Sequence, residues 1–199
     1  MYQKDGVAVQ HRIMAKELTI CGLFASLIAV GAFIKIVIPV GADTMNFTLQ
    51  WFFVLLAGLL LGSKKAFLSV GSYLVIGLMG IPVFARGGGL AYLVRPTFGF
   101  LLGFALAAYA MGKICEWMHS SKTGVWMFSA TVGYLIYYGM GILYFYFITH
   151  FVVVTPNTVG WAAIFAVYCL PTMVPDYILL VLAVMVAKRL RPVVAQAVR

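Results

Sequence analysis

Pro175-Asp176-Tyr177-Ile178-Leu179-Leu180-Val181-Leu182-Ala183-Val184-Met185-Val186-Ala187-Lys188-Arg189 is the stretch that decides the fold. Between Asp176 and Lys188 it carries no charge, and two cations close it. A membrane helix approaching the cytoplasmic surface reads this way. From Asp176 to Lys188 the rise is roughly 18 Å at 1.5 Å per residue. Against a hydrocarbon core of about 30 Å, that sets the acid in the outer half of the membrane. Pro171 and Pro175 are rarely compatible with one unbroken helix. The sequence therefore predicts a span beginning at Pro175, where proline suits the first turn. Trp161–Leu170 becomes a separate short lid or re-entrant segment. In a first turn, free N–H groups and the macrodipole favour an ionised Asp176. Simple N-terminal capping is the competing role. A ligand or ion role is the stronger reading, because acids inside a membrane are costly and usually functional.

Five further apolar runs lie upstream: Leu18–Ile38, Leu49–Leu61, Ala66–Ile81, Phe98–Ile114 and Val125–Phe147. Hydrophobic residues make up 64% of the 199 positions and charged residues 10%. A soluble domain runs nearer 45–50% apolar and about 25% charged, so too few charges remain to solvate a globular surface. The expectation is an all-α membrane protein with six transmembrane helices, folded as one integral domain over residues 1–199. Residues 1–17 form a polar cytoplasmic N-terminus and 189–199 a basic cytoplasmic tail. Leu18–Ile38 is too long for a signal-peptide core and reads as a retained span.

The basic residues set the orientation. With the N-terminus inside, alternating spans put Lys4, Arg12, Lys16, Lys64, Lys65, Lys113, Lys122, Lys188 and the arginines of the tail in the cytoplasm. Only Lys35, Arg86 and Arg95 fall outside. This positive-inside bias favours an even span count with both termini cytoplasmic. It also explains the net charge of +9 without a nucleic-acid partner. Cys21, Cys115 and Cys169 are far apart and read as small apolar helix residues, with no metal site.

The remaining polarity gathers outside. Asn46, Thr48, Gln50, Arg86, Gly87–Gly89 and Arg95 face apolar walls there, which reads as an outward-facing pocket. An arginine such as Arg95, at the mouth of a span, can hold a carboxylate by paired hydrogen bonds. Glycines around Gly88 let backbone pass close to a ligand. They do not make a phosphate loop, since the required lysine spacing is missing. Tyr134, Tyr137, Tyr138, Tyr144 and Tyr146 cluster on one helix, as packing, interfacial or ligand-wall residues. No paired carboxylates, Ser/His/Asp set or zinc motif is visible, so no catalytic residue is assigned. Ala25 and Ala29, four apart, would let another helix approach closely.

Three segments carry a resemblance: Phe47-Thr48-Leu49-Gln50-Trp51 through Gly62, Gly77-Leu78-Met79-Gly80-Ile81-Pro82-Val83-Phe84 with the glycines after it, and Pro96-Thr97-Phe98-Gly99 through Phe104. In order and spacing they resemble the BioY family, and the likeness runs from the first span to the last. BioY proteins are biotin-binding S components of energy-coupling-factor (ECF) transporters. The resemblance implies six helices in the plasma membrane, an outward vitamin pocket, no cofactor and biotin as ligand. It also implies three partners: a membrane coupling subunit and two cytoplasmic ATPases, which alone would carry the ATP chemistry. Ala25 and Ala29 would dock on the coupling subunit. In the pocket, Asp176, Thr48 and Gln50 would meet the polar ring groups. Phe84 and Tyr138 would be walls, Arg86 or Arg95 would take the carboxylate, and Gly88 would pass close by. Three positions depart from the family pattern. Leu179 stands where a lysine follows the Pro-Asp pair, and the fifth helix carries Tyr144 in a Tyr138-Gly-Met-Gly141 setting. Arg95 stands where a small residue precedes Pro-Thr. The departures keep open a different vitamin or a biotin precursor. A stand-alone secondary transporter and an intramembrane enzyme are the other readings.

Overall fold

The computed structural model describes residues 2–40, 43–120, 122–152 and 160–198. Helix α1 (Tyr2–Phe33) leads into a hairpin of β1 (Lys35–Val40) and β2 (Asp43–Thr48). Helices α2 (Gln50–Leu61) and α3 (Ser63–Leu78) follow, then a glycine-rich loop with a 3₁₀ turn at Leu90–Val94. Helices α4 (Phe98–Met118) and α5 (Thr123–Phe147) come next, with α5 running into a π-helical turn at Ile148–Val152. The short α6 (Trp161–Ala163) passes through a π-helical segment, Ile164–Cys169, into α7 (Leu170–Val198). Among the described residues, four helical stretches are long and apolar enough to cross a membrane: Ala15–Phe33, Phe98–Met118, Thr123–Val152 and Leu170–Val194. Helix α2 is apolar but shorter.

Helix α2 is the buried centre. Trp51, Val54, Leu55 and Ala57 are fully enclosed, and the helix packs against α1, α3, α4 and α7. Small residues let the helices meet at backbone distance. At Gly103 on α4, a Cβ would lie 2.8 Å from the Tyr137 carbonyl of α5. At Gly112 it would lie 2.4 Å from the Ser63 amide. One end of the bundle is held by polar ties. Glu17 pairs with Lys65 at 2.7 Å, and Lys188 donates to the Thr123 hydroxyl. Glu116 of α4 caps α3, accepting from the Ser63 amide at 2.7 Å and from its hydroxyl at 2.8 Å. The α2–α3 corner between them turns at Gly62, whose φ of +80° suits a residue without Cβ. Lys64, Lys65, Lys113, Lys122 and Lys188 therefore share this basic end.

Two expectations are corrected. The run Leu18–Ile38 is not one helix: α1 stops at Phe33, and Lys35–Val40 forms the first strand of an antiparallel hairpin with Asp43–Thr48. The β-branched Ile36, Val37, Ile38 and Val40 favour a strand over a helix end. The last span begins at Leu170 rather than Pro175. Pro171 occupies its first turn, where no N–H is required. Pro175 is accommodated inside, and the preceding π-helical turn with the Thr172 hydroxyl on the Cys169 carbonyl (3.1 Å) absorbs the irregularity. Asp176 thus stands in the second turn, beyond reach of the free first-turn amides, and is satisfied by side chains instead. Pro156 and Asn157 lie outside the described residues.

Candidate binding site

At the end opposite the lysine cluster, a cavity of about 690 Å³, counting its open mouth, enters the bundle. The hairpin supplies Asn46 and Thr48, the start of α2 supplies Gln50, and the glycine loop supplies Ala85, Arg86 and Tyr92. Thr97, Phe100, Leu101 and Phe104 come from α4 and the residue before it. Tyr137, Tyr168 and Thr172 complete the lining from α5, the π-helical segment and α7.

The rim is fixed by hydrogen bonds. Gln50 is 2% exposed and donates its amide to the Tyr73 hydroxyl at 2.6 Å. Tyr73 in turn donates to the Val83 carbonyl at 3.3 Å. Thr48 donates to the Gln50 carbonyl oxygen at 3.3 Å. The hairpin is tied to the glycine loop by Lys35, whose ammonium donates to the Ala85 carbonyl at 2.5 Å. One wall is a stack of nearly parallel rings: Trp51 on Tyr137 at 4.6 Å and Phe104 on Tyr137 at 5.0 Å. The Trp51 N–H is buried without a protein partner.

Asp176 lies behind this lining. It is 3% exposed, and Tyr138 donates to its Oδ2 at 2.6 Å, with the Thr172 hydroxyl 3.0 Å from Tyr138. Two of the groups around Asp176, Tyr137 and Thr172, face the cavity directly. Among the described residues no lysine or arginine pairs with Asp176, and Leu179 is partly buried against the core.

The expected site residues therefore separate. Thr48, Gln50 and Arg86 line the cavity. Tyr138 and Asp176 form its buried polar backing. Phe84 does not face it: 1% exposed, it packs against Tyr73 at 5.4 Å and Tyr92 at 4.6 Å. Gly88 is a packing position too, since a Cβ there would meet the Ile81 carbonyl at 2.3 Å. Arg95 is exposed and lies over the Tyr92 ring, 5.4 Å from its centroid. Burial raises the Tyr92 phenol above its ordinary range, opposed by Arg95 and Arg86. Ala25 is buried inside the bundle and Ala29 partly so, while Gly22 and Ser26 are exposed on α1. Sequence reasoning assigned no role to Thr97, Phe100, Leu101 and Phe104, whose 3-1-3 spacing marks one helix face. It also passed over Thr172, one turn before Asp176.

The arrangement suits a small molecule with an apolar body and polar ends. A carboxylate would meet Arg86 at the rim, and amide or hydroxyl groups would meet Gln50, Thr48 and Thr172. Residues 4–196 match the model of the BioY family. A probable biotin transporter BioY of Lysinibacillus sphaericus is 38% identical, over 91% of this chain and 89% of that protein. One from Pyrococcus horikoshii is 35% identical, over 89% of this chain and 97% of that protein. The biotin transporter BioY of Thermotoga maritima is 40% identical over 68% of this chain and 77% of its own. The crystal structure of an S-component for biotin from an ECF-type ABC transporter superposes with a TM-score of 0.76. It covers 90% of this chain and 92% of that one at 23% identity, a likeness of fold.

Proposed function

This chain belongs to the BioY family, and on that premise we propose that it captures biotin from outside the cell as the S component of an ATP-driven ECF transporter. The observation carrying the proposal is the cavity itself. A cationic and amide-bearing rim (Arg86, Gln50, Thr48), an aromatic wall and a buried Tyr138–Asp176 backing match a carboxylate, a thioether ring with its chain, and a ureido group. In this reading α2 and α3 complete six crossings, the cavity opens outward, and both termini are cytoplasmic. The segregation of lysines to the opposite end supports that orientation. The chain supplies binding, and the coupling subunit with two ATPases supplies the drive. Arg86 replaces the missing cation at Leu179, because Arg86 lines the cavity and Arg95 does not.

Titration of the purified protein with biotin, dethiobiotin, thiamine and riboflavin tests the reading, and biotin is expected to bind tightest. Asp176→Asn should weaken biotin at least about tenfold, or 1.4 kcal/mol. Equal affinity in that variant removes Asp176 from the site. Tighter binding of dethiobiotin or another vitamin favours the second reading, for which Leu179 in the lysine position is the specific observation.

The docking face on α1 is proposed as Gly22, Ser26 and Ala29, since Ala25 points inward. Leucine at Gly22 or Ser26 should reduce uptake in the assembled transporter while leaving biotin binding intact. Undiminished uptake would refute it.

A further inference from the structure

A second cavity opens at the lysine-rich end, between α2, α4, α5 and α7. It encloses about 1170 Å³ counting its mouth. Leu59, Leu60 and Trp126 form apolar wall, and Glu116, Ser120 and Arg191 lie at the rim. Glu116 does not neutralise Arg191. Its two oxygens are engaged by the Ser63 amide and hydroxyl, at 2.7 and 2.8 Å, and among the described residues it makes no ion pair with Arg191. Arg191 instead lies across the Trp126 face, 5.6 Å from the ring centroid. That contact orients the guanidinium and leaves its five N–H donors available. The Ser120 hydroxyl accepts from the Lys122 amide at 3.3 Å, so its own hydrogen is free to donate.

The level of this cavity narrows the ligand. The spans Phe98–Met118 and Leu170–Val194 both end here. Trp117 beside the mouth is 79% exposed and Val193 is 63% exposed, as residues at a membrane–water interface are. Lipid phosphates lie at this height, and basic pockets between helices on the cytoplasmic side hold anionic headgroups. A free anion would have no use for the apolar wall of Leu59, Leu60 and Trp126.

We propose that this cavity binds the phosphate of an anionic membrane lipid, with Arg191 and Ser120 as donors and the apolar wall seating the adjoining glycerol and upper acyl carbons. The seat joins α2, α4, α5 and α7 at the end opposite the first cavity. A bound lipid there would brace the helices without touching the biotin pocket.

The test is native mass spectrometry of the delipidated protein titrated with phosphatidylglycerol or phosphatidylcholine in mixed micelles. One phosphatidylglycerol should be retained about fivefold more tightly, the worth of one cation near a lipid surface. Arg191→Gln should abolish the preference and Ser120→Ala should reduce it. Lys64→Gln, at the same end but outside the cavity, should preserve it. Both arginine and lysine variants keep exposed positions, and their melting temperatures report folding alongside. A preference that survives Arg191→Gln overturns the proposal, as does one lost equally in Lys64→Gln, which would mark a general surface charge. Displacement of the lipid by excess inorganic phosphate also overturns it, because the site would then read a free anion.

Discussion

Gly77→Ala should cripple the first cavity without touching any residue that lines it. The tip of the Phe84 ring abuts Gly77, and a Cβ there would come within 2.1 Å of Phe84 Cζ and 2.3 Å of Cε1. Contacts that short cannot be absorbed by a small shift. The ring must leave its slot between Tyr73, Tyr92 and Phe98. Overpacking of this kind costs about 1–3 kcal/mol, and complete loss of the ring's packing about 3–5 kcal/mol. The displacement is transmitted, because Phe84 is bonded to Gly87 in both directions, at 2.9 and 3.1 Å, and is followed by Ala85 and Arg86 at the rim. A shift of even 1 Å in Arg86 would forfeit the paired geometry to a carboxylate proposed for it. Isothermal titration of purified protein should therefore show biotin affinity lowered at least about tenfold, equal to 1.4 kcal/mol, with helix content by circular dichroism retained. Phe84→Leu, which shortens the plug, should restore much of the affinity when combined with Gly77→Ala. The coupling between the two should fall in the range of about 0.5–3 kcal/mol found for residues in contact. Wild-type affinity in Gly77→Ala, or a double variant no better than the single one, would refute the plug argument.

Glu116→Ala removes an acceptor that serves both the Ser63 amide and its hydroxyl. It should lower stability by about 1–3 kcal/mol, visible as a reduced melting temperature that Glu116→Gln partly restores. An unchanged melting temperature would show that α3 is capped by solvent instead. Tyr92 gives a pH signature. Burial raises its phenol, so the fold favours the neutral form, and its contribution is complete below the unfolded value of about 10. Stability should fall as pH rises past that value, and Tyr92→Phe should make the decline above it shallower. An identical decline in the variant would place the phenol in solvent.

Hydrophobic runs made the long helices legible: Phe98–Met118 and Thr123–Phe147 lie within a few residues of their sequence limits. Asp176 was legible because no other acid sits in an apolar run. What the sequence hid was depth and direction. Thr48, Gln50 and Arg86 reach the cavity, while Phe84 and Gly88, from the same glycine-rich segment as Arg86, turn into the core. A motif names residues, but backbone turns at Gly87 and Gly89, both with positive φ, decide which of them face a ligand. Pro175 misled for a related reason. Proline suits a helix start when no helical turn precedes it, and here the π-helical Ile164–Cys169 runs into α7 so that Pro175 lies inside the helix.

The place of the first cavity is tied to the length of one helix. As the crossing proposed above, helix α2 with its 12 residues, or about 18 Å of rise, would leave roughly 12 Å of a core of about 30 Å unspanned. Irregular backbone at that depth is tolerated only when buried in protein or lining a cavity, because lipid cannot satisfy its polar groups. The hairpin pairs the facing edges of its two strands, Lys35 with Thr48 through Val40 with Asp43, and leaves its outer edges to water or neighbouring protein. The glycine loop pairs Gly89 N–H with the Gly77 carbonyl at 2.7 Å and Phe84 with Gly87. Asn46 and Thr48 of the hairpin and Ala85, Arg86 and Tyr92 of the loop then line the cavity, while Ile36, Val37 and Leu90 stay exposed. A longer α2 would fill the site with its own side chains. The short helix, the hairpin and the plugged loop together leave room for the cavity. An insertion that extends α2 by a full turn should abolish ligand binding while the remaining helices still assemble.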